Sequence, residues 1–442
     1  MKFRVKEISF FERDVRLRMP FRFGVVTLTE APQAFARARI RLENGKESEG
    51  AAAELLAPKW FDKNPALSNE DNFGQLRTSM RTARTAYLDG EMNTAFGHSR
   101  PMVGLVENYG PALLDRALLD ALCRGLGISF YEALTRNVPG VAFSGIDVPG
   151  FMKKLKRASQ IAARHTVGLV DPITSADNMN PVNDGLPETL EEVIARYGHR
   201  WFKLKVGGEV KADVERLSAI AAVLDRIAEP YHASLDGNEQ YEDAEAVIAL
   251  WEAIEAQRKL RRLASSVVFI EQPIKRQKAL EANISALGAR KPVIIDESDD
   301  SLDAFPRAKA LGYRGVSSKT CKGIYKSLIN AARCAAWGKD YFMSGEDLTI
   351  QAGLALQQDL ALVSLLGLTH VERNGHHYVN GMAGLPVAEQ EAFLNSHGDL
   401  YERSHGAVRV RVREGKLQMG SLDCPGYASR ALPDWQSMRR MP

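Results

Sequence analysis

The stretch WFKLKV at residues 201–206 decides the fold, because it is one of eight short apolar runs that alternate with helix-like stretches. The other seven runs are VGLV (167–170), ASLD (233–236), VVFIE (267–271), PVIID (292–296), RGVSSK (314–319), YFMSG (341–345) and THVERN (369–374). Such alternation is typical of a closed barrel of parallel strands or of a doubly wound sheet. The near-regular spacing and the total of eight favour the barrel, an α/β fold.

The residues before these runs have the pattern of an α+β unit. Residues 3–10 and 34–43 alternate apolar and polar side chains, and Asn44-Gly45 is a strong hairpin signal. Helix-like stretches follow at 68–87, 90–96 and 108–126. We therefore predict three segments, residues 1–135, 136–390 and 391–442, of which the second holds the barrel.

Two details of this division stay open. VAFSGIDV (141–148) is a candidate for an extra strand, so the start of the barrel is uncertain from the sequence. AVRVRVRE (407–414) alternates as a strand does and is a candidate to return and pair with the N-terminal unit.

Composition excludes several classes of protein. The 58 basic and 55 acidic residues give a formal net charge of +3, which does not indicate a nucleic-acid or membrane-surface partner. The four cysteines have no Cys-x-x-Cys spacing, which argues against a disulfide scaffold and a cysteine zinc site. No apolar run approaches ~18 residues, and the N-terminus lacks the apolar core of a signal peptide. We therefore expect a soluble, cytoplasmic protein.

Carboxylates end three consecutive apolar runs, at Asp236, Glu271 and Asp296. Active sites of barrels collect at the carboxyl ends of the strands, so these side chains are expected to converge there. Converging anions repel one another unless a cation lies between them, and hard oxygen ligands suit Mg²⁺. A single carboxylate is as readily explained as the cap of the following helix, but the set of three favours a metal site.

Lysines occupy corresponding positions on two further runs. Lys203 and Lys205 are two residues apart, so on a strand they face the same way. Lys319 ends the sixth run and would approach the barrel mouth from the other side. Lysines on two sides of a substrate can remove a proton from one face and return it to the other, if crowding by cations lowers a lysine pKa toward neutrality. The alternative, a solvated rim of lysines, is less plausible for a pair within an apolar run.

Several motifs together resemble the enolase superfamily. They are WFKLKVGG (201–208), SLDGNEQY (234–241), FIEQPI (269–274), VIIDES (293–298) and SSKTCKG (317–323). The resemblance is closest to the muconate-lactonizing-enzyme-like subgroup of the mandelate racemase and muconate cycloisomerase group, because Lys319 ends the sixth run and no histidine lies near YFMSGED (341–347). It implies a modified TIM barrel, (β/α)₇β, with an α+β capping domain.

The resemblance also implies roles for individual residues. Asp236, Glu271 and Asp296 match the Mg²⁺ ligands of the family. Lys205 and Lys319 match its two acid/base catalysts, Lys203 matches a lysine near the substrate carboxylate, and Asn238 and Glu297 match positions close to the metal. The implied chemistry is removal of the proton α to a carboxylate with stabilisation of the enediolate. The implied partner is a small carboxylate, and barrel enzymes of this type often associate as homo-oligomers.

Three more residues are candidates for contacting the substrate. In the family, specificity is expected from two loops of the capping domain, which by position are Pro20–Leu28 and Ala51–Phe61 here. Arg22 and Trp60 are their candidates, and the apolar content of the loops favours a substrate with an apolar part. Glu346 follows the seventh run and is the third candidate.

Two features depart from the family pattern. Lys322 lies close enough to Lys319 to confuse the assignment of the sixth-strand lysine. The eighth run continues into VERNGHHYVNG (371–381), which contains a polar cluster of Glu372, Arg373, His376, His377 and Tyr378. This cluster either grips a polar group of the substrate or is an ordinary polar surface loop.

Several functions fit this sequence. A racemase, epimerase or cycloisomerase is favoured, and a sugar-acid dehydratase is the close alternative, which an acid such as Glu346 would support. A non-catalytic binding descendant of the fold is a third possibility, against which the intact acids and lysines argue. A metal-dependent hydrolase would need His-x-His on the first strand, where His165 stands alone.

Overall fold

The N-terminal part of the chain is an antiparallel sheet with helices packed on it. The computed structural model describes residues 1–24, 26–347, 350–374 and 377–442. The elements of this part are β1 (Phe3–Phe23), β2 (Val26–Leu42), β3 (Glu47–Leu55), α1 (Asn69–Leu88), α2 (Ala95–His98), α3 (Tyr109–Leu126), α4 (Phe130–Thr135) and α5 (Val148–Met152). β2 lies between β1 and β3, and the turn into β3 contains Asn44 and Gly45, as predicted.

Helix α3 lies directly on this sheet and is buried along almost its whole length. A Cβ atom on Gly50 of β3 would come within 2.1 Å of the backbone nitrogen of Ala121. Only glycine therefore allows the strand and the helix to approach so closely. The helix ends at Gly127, whose φ of 69° lies in the left-handed region that favours glycine.

Eight parallel strands form a closed barrel in the second part of the chain. They are β4 (Gln160–Val167), β5 (Trp201–Lys205), β6 (His232–Asp236), β7 (Val267–Glu271), β8 (Val293–Ile295), β9 (Gly315–Ser318), β10 (Phe342–Gly345) and β11 (His370–Glu372). Each strand pairs with the next, and β11 pairs with β4, so the predicted closed barrel is confirmed. Its helices are α6 (Leu190–Tyr197), α7 (Val210–Leu224), α8 (Ala244–Ala256), α9 (Arg261–Ser266), α10 (Arg276–Ala279), α11 (Ser285–Arg290), α12 (Ala304–Ala310), α13 (Ile324–Trp337) and α14 (Leu354–Leu365). In the described ranges, no helix has the length and apolarity needed to cross a membrane.

The start of the barrel differs from the prediction. The first strand is Gln160–Val167, whereas the predicted run 167–170 overlaps it by one residue. The strand ends there because the N–H of Gly168 donates to Asp171 Oδ2 at 2.8 Å, which turns the chain. The candidate strand at 141–148 is not one either. Val148 begins helix α5 instead, with Pro149 in its first turn.

The C-terminal segment contacts both preceding parts. It contains α15 (Val387–Ser396), β12 (Tyr401–Ser404), β13 (Ala407–Val410), β14 (Lys416–Gln418) and β15 (Arg439–Arg440). β13 forms a hairpin with β12, which replaces the pairing of 407–414 with the N-terminal unit that we expected. β14 lies antiparallel to β4, and β15 makes the pairing with β1.

Aromatic rings fill the amino-terminal end of the barrel. The Trp201 ring stacks on His370 at 4.0 Å and lies 4.3 Å from His232, while Phe269 and Phe342 are 5.6 Å apart. These residues stand at or near the beginnings of their strands. Most charged side chains of the barrel interior lie toward its other end, and Arg164 of β4 connects the two layers through His370 Nδ1 at 2.6 Å and the Phe269 ring at 5.5 Å.

Candidate active site at the mouth of the barrel

The carboxyl ends of the strands bring the predicted acids and lysines to one side of the barrel. Lys205 on β5 is the register partner of Asp236 on β6, which is in turn the partner of Glu271 on β7. Asp296 and Lys319 directly follow β8 and β9. Each of these five residues is at most 5% exposed. The strand-end pattern in the sequence therefore corresponds to a buried cluster of charges.

Lys203 occupies the centre of this cluster. Its Nζ lies 2.9 Å from Asp236 Oδ2, 2.9 Å from Glu271 Oε2, 2.7 Å from Glu346 Oε2 and 3.0 Å from Glu372 Oε2. Burial alone would lower the pKa of Lys203, but the surrounding carboxylates outweigh it and raise that pKa well above its usual value. The lysine is therefore a fixed cation held by four acids.

Lys205 belongs to a second group of contacts. Its Nζ is 2.6 Å from Asp236 Oδ2 and 2.5 Å from Asn238 Oδ1. The amide of Asn238 also donates to Glu297 Oε1 at 3.2 Å, so the lysine, the amide and the acid form a chain. On its other side Lys205 lies 5.7 Å from the centre of the Phe21 ring, which comes from the N-terminal sheet.

The two lysines after β9 face different spaces. Lys319 Nζ is 2.6 Å from Asp296 Oδ2 and lies over the Trp60 ring, 4.3 Å from its centre. Lys322 Nζ is 3.3 Å from Asp296 Oδ1 and 3.1 Å from Asp299 Oδ2. Only the first of the pair lines the cavity at the barrel mouth, whereas Lys322 lines a separate cavity of about 330 Å³. The geometry thus separates two residues that the sequence left ambiguous.

The pKa of Lys319 is raised, which differs from the sequence-based expectation. Burial would lower this pKa, but the carboxylate of Asp296 more than compensates. The expectation of a lowered lysine pKa assumed that the nearest charges around each lysine are other cations. Instead Lys203, Lys319 and Lys322 each lie against at least one carboxylate, which raises their pKa and stabilises the ammonium form.

An apolar roof covers the cavity between these lysines. Phe21, Phe23, Leu28, Ala57 and Trp60 of the N-terminal part form the roof. Lys203, Lys205, Asp236, Asn238, Lys319, Asp347 and Glu372 form the remaining lining. The cavity volume is about 30 Å³, room for roughly one or two water molecules. The apolar residues of the roof therefore lie directly against the charged and polar residues of the remaining lining.

The predicted substrate contacts are only partly brought to this cavity. Trp60 is part of the roof, but Arg22 is exposed, because it alternates with the buried Phe21 and Phe23 along β1. Arg22 is therefore not placed to contact a molecule in the cavity. Glu346 and Glu297 are buried below the cavity rather than in its lining.

The polar cluster after β11 is buried and is not a surface loop. Glu372, Arg373, His377 and Tyr378 are each at most 4% exposed, and His376 lies outside the described residues. Glu372 accepts from Thr166 Oγ1 at 2.5 Å and lines the cavity. Arg373 and Asp347 are 2.5 Å apart, so Arg373 holds a second acid at the cavity wall.

A family model described as Enolase C-terminal domain-like matches residues 185–420, which is more than half of the chain. The chain belongs to the enolase superfamily. The comparison with curated proteins finds no match. This membership agrees with the closed barrel, its N-terminal sheet and the charged strand ends described above.

Solved structures of the enolase superfamily share this fold. Muconate lactonizing enzyme from Mycobacterium smegmatis, complexed with muconolactone, is 18% identical with a TM-score of 0.63 and 100% coverage of both chains. Dipeptide epimerase from Enterococcus faecalis V583, complexed with Mg and L-Leu-L-Tyr, is 15% identical with a TM-score of 0.59, covering 84% of this chain and 90% of that one. A superfamily member from Roseovarius nubinhibens ISM, complexed with magnesium, is 17% identical with a TM-score of 0.60 over 100% and 99% of the chains. At these identities the likeness establishes the fold.

The three predicted metal ligands of this superfamily member are separated by lysines. Among the described residues, no three His, Cys, Asp or Glu side chains are arranged to hold a metal ion. The ammonium of Lys203 bridges Asp236 and Glu271 instead. The donor chemistry nevertheless fits Mg²⁺, because the one contact of Glu271 Oε2 is the ammonium of Lys203 at 2.9 Å among the described residues, and because burial and the neighbouring acids raise the pKa of Glu271 well above its usual value. A cation beside Glu271 would relieve this repulsion once Lys203 has moved aside.

Sequence reasoning missed one residue of the charged cluster in this superfamily member, Arg164, and left the role of Glu372 open between a substrate contact and a surface loop. Glu372 lies within the last apolar run, THVERN, and lines the cavity, which favours the substrate contact over the surface loop. Arg164 lies inside β4, donates to Ser344 Oγ at 2.8 Å and pairs with Glu346. It was missed because the first barrel strand was placed too late in the sequence.

Proposed function

We propose that this protein is a Mg²⁺-dependent enzyme that removes the proton α to a carboxylate, with Lys205 and Lys319 as its acid and base. One observation carries the proposal. The two lysines line one cavity but follow strands β5 and β9, which stand across the barrel from each other. Each is held by a different acid, Asp236 or Asp296, at 2.6 Å. A substrate between them would present one face to each lysine.

The charges of the site suit this reaction. Loss of an α-proton puts negative charge on the carboxylate oxygens, and catalysis needs positive charge fixed where it develops. Mg²⁺ held by Asp236, Glu271 and Asp296 would supply Lewis-acid stabilisation of that charge. Lys203 lines the same cavity and would add a second positive charge near that carboxylate. The raised pKa of Lys319 favours its ammonium as the proton donor in one direction of the reaction, and in the reverse direction the two lysines exchange roles.

The lining of the cavity favours a substrate with an apolar part. Phe21, Leu28 and Trp60 cover the cavity from above, and polyhydroxylated sugar acids would leave hydroxyl groups unpaired against them. Muconolactone and L-Leu-L-Tyr, the ligands of two solved structures above, each carry a carboxylate beside apolar atoms. We therefore propose a racemase, epimerase or cycloisomerase of the muconate-lactonizing-like subgroup. Glu346 does not line the cavity and is paired with Arg164 and Lys203, so its position does not support a dehydratase.

Proton exchange with solvent tests the proposal directly. The purified protein with Mg²⁺ is incubated in D₂O with a panel of carboxylates that carry apolar side chains, and loss of the α-proton signal is followed by NMR. We expect exchange with at least one class of compound, and none after EDTA treatment. The double variant Lys205→Ala/Lys319→Ala is the matched control and should give no exchange. Exchange by that variant at the wild-type rate would overturn the assignment of both lysines.

A further inference from the structure

Lys203 lies between two pairs of acids that come from different strands. Asp236 and Glu271, on β6 and β7, are proposed metal ligands, and Glu346 and Glu372, next to β10 and on β11, are not. Its ammonium is within 3.0 Å of all four carboxylates. We propose that Lys203 is a tethered counter-ion of the metal site, which neutralises Asp236 and Glu271 until Mg²⁺ displaces it onto Glu346 and Glu372. This inference rests on the proposed function, since it concerns the same metal site.

Glu271 depends on Lys203 for its charge balance. Within the described part of the chain, Lys203 is the one cation at ion-pair distance from Glu271. Asp236 also pairs with Lys205, Asp296 with Lys319 and Lys322, and Glu346 with Arg164. Glu372 has no second cation among the described residues, but it accepts a hydrogen bond from Thr166 Oγ1. If the ammonium left without replacement, Glu271 would be a buried and unpaired anion, which is costly. A metal cation is the group that would restore the balance.

The carboxylates of Glu346 and Glu372, which would receive the displaced ammonium, are already fixed beside it. Glu346 is held by Arg164 and accepts from Ser344 Oγ at 2.6 Å, and Glu372 is held by Thr166. Both acids already contact Lys203, so a small change of side-chain torsion exchanges one pair of partners for the other. Lys203 is only 1% exposed, and a charge at this depth cannot be released into water at low cost. The displacement therefore ends on these two acids.

Magnesium affinity measured by calorimetry tests the competition. Lys203→Met removes the competing ammonium while keeping an unbranched side chain, so Mg²⁺ should bind at least about tenfold more tightly than to wild type. Lys322→Met is the matched control, because Lys322 is equally buried and pairs with Asp296 but does not bridge two ligands. We expect its effect to be below about threefold, since it changes only the general charge of the site.

A second variant covers the case in which Lys203→Met does not fold. Glu346→Gln removes the charge of one of the two carboxylates that receive the ammonium. It should therefore weaken Mg²⁺ binding and reduce the rise of Tm that Mg²⁺ produces. Equal affinities of wild type, Lys203→Met and Glu346→Gln would overturn the inference and leave the proposed function standing. An equal gain in Lys203→Met and Lys322→Met would also overturn it. Absence of Mg²⁺ binding in wild type and all variants would overturn the metal part of the proposed function as well.

Discussion

The ammonium of Lys319 lies over the ring of Trp60, 4.3 Å from its centre, so a lysine of the barrel and an aromatic residue of the N-terminal part are in direct contact. The face of an indole ring attracts cations, and more strongly where water is excluded. Trp60 is 4% exposed and Lys319 is likewise buried. The roof of the cavity thus helps to fix a proposed acid/base group in addition to covering the cavity.

Replacing Trp60 tests this contact. Trp60→Ala should reduce kcat/KM by roughly 2- to 30-fold, which corresponds to about 0.5–2 kcal/mol for a buried cation–π interaction. Trp60→Phe keeps an aromatic face and should stay much closer to wild type. Steady-state kinetics on the substrate found by the exchange screen measure both variants. An equal loss in the two would attribute the effect to packing rather than to the ring.

The two proposed acid/base lysines should act on different faces of the substrate. With either enantiomer as substrate, Lys205→Ala and Lys319→Ala should each lower turnover by roughly 10²- to 10⁴-fold. In D₂O the two variants should retain residual exchange for opposite enantiomers, because each keeps one lysine. Arg22→Ala is the control, since Arg22 is exposed and should leave both rates unchanged. Residual exchange of the same enantiomer in both lysine variants would contradict the two-faced arrangement.

The buried pair of Arg164 and Glu346 should contribute strongly to stability. Arg164 and Lys203 outweigh the effect of burial and lower the pKa of Glu346 to about 2. Arg164→Met would leave Glu346 with one cation fewer in a buried place, and we expect a loss of about 3–5 kcal/mol in the free energy of unfolding. Urea unfolding measures it. Arg200→Met removes the partner of the exposed Glu229 and should leave the free energy of unfolding almost unchanged.

Acid should destabilise the protein through buried histidines. Burial lowers the pKa of His165 well below its usual value and that of His199 to about 4. In the unfolded chain a histidine titrates near ~6.5, so below that pH the unfolded state binds more protons than the folded state. The free energy of unfolding should therefore fall as the pH drops from ~6.5 to ~4, by up to ~1.4 kcal/mol per pH unit for each histidine.

Urea unfolding at several pH values across this window measures the slope. His199→Gln should give a shallower slope than wild type, because one of the groups that take up a proton on unfolding is gone. The exposed His405 provides the control, and His405→Gln should leave the slope unchanged. A His199→Gln slope as steep as that of wild type would show that other groups govern the acid sensitivity.

The sequence was sufficient to predict the barrel and the convergence of its acids and lysines. Strands of a closed barrel all end on one side, so ionisable residues that follow successive apolar runs must come together. The first strand was misplaced because Gln160–Val167 contains Arg164 and His165, which read as polar. Their burial depends on partners nearly two hundred residues away, such as Glu346, which no local pattern contains.

Two features of the site required the three-dimensional structure. Alternation along β1 decides whether Arg22 or its neighbours face the barrel, but the pairing of β1 with β2 shifts register between Arg16 and Phe21. Such an irregularity changes which face a side chain occupies and cannot be counted from the sequence. The central position of Lys203 likewise depends on distances across the barrel to Glu346 and Glu372.

The cavity of about 30 Å³ under Phe21, Leu28 and Trp60 is far too small for a dipeptide or a lactone. The roof must lift before any such molecule enters and again before it leaves. Where the chemical step is fast, opening of the roof then limits the rate of turnover. Raising the viscosity of the solvent with sucrose should lower kcat of such an enzyme in proportion to the viscosity. An engineered covalent link between the roof and the barrel should abolish turnover.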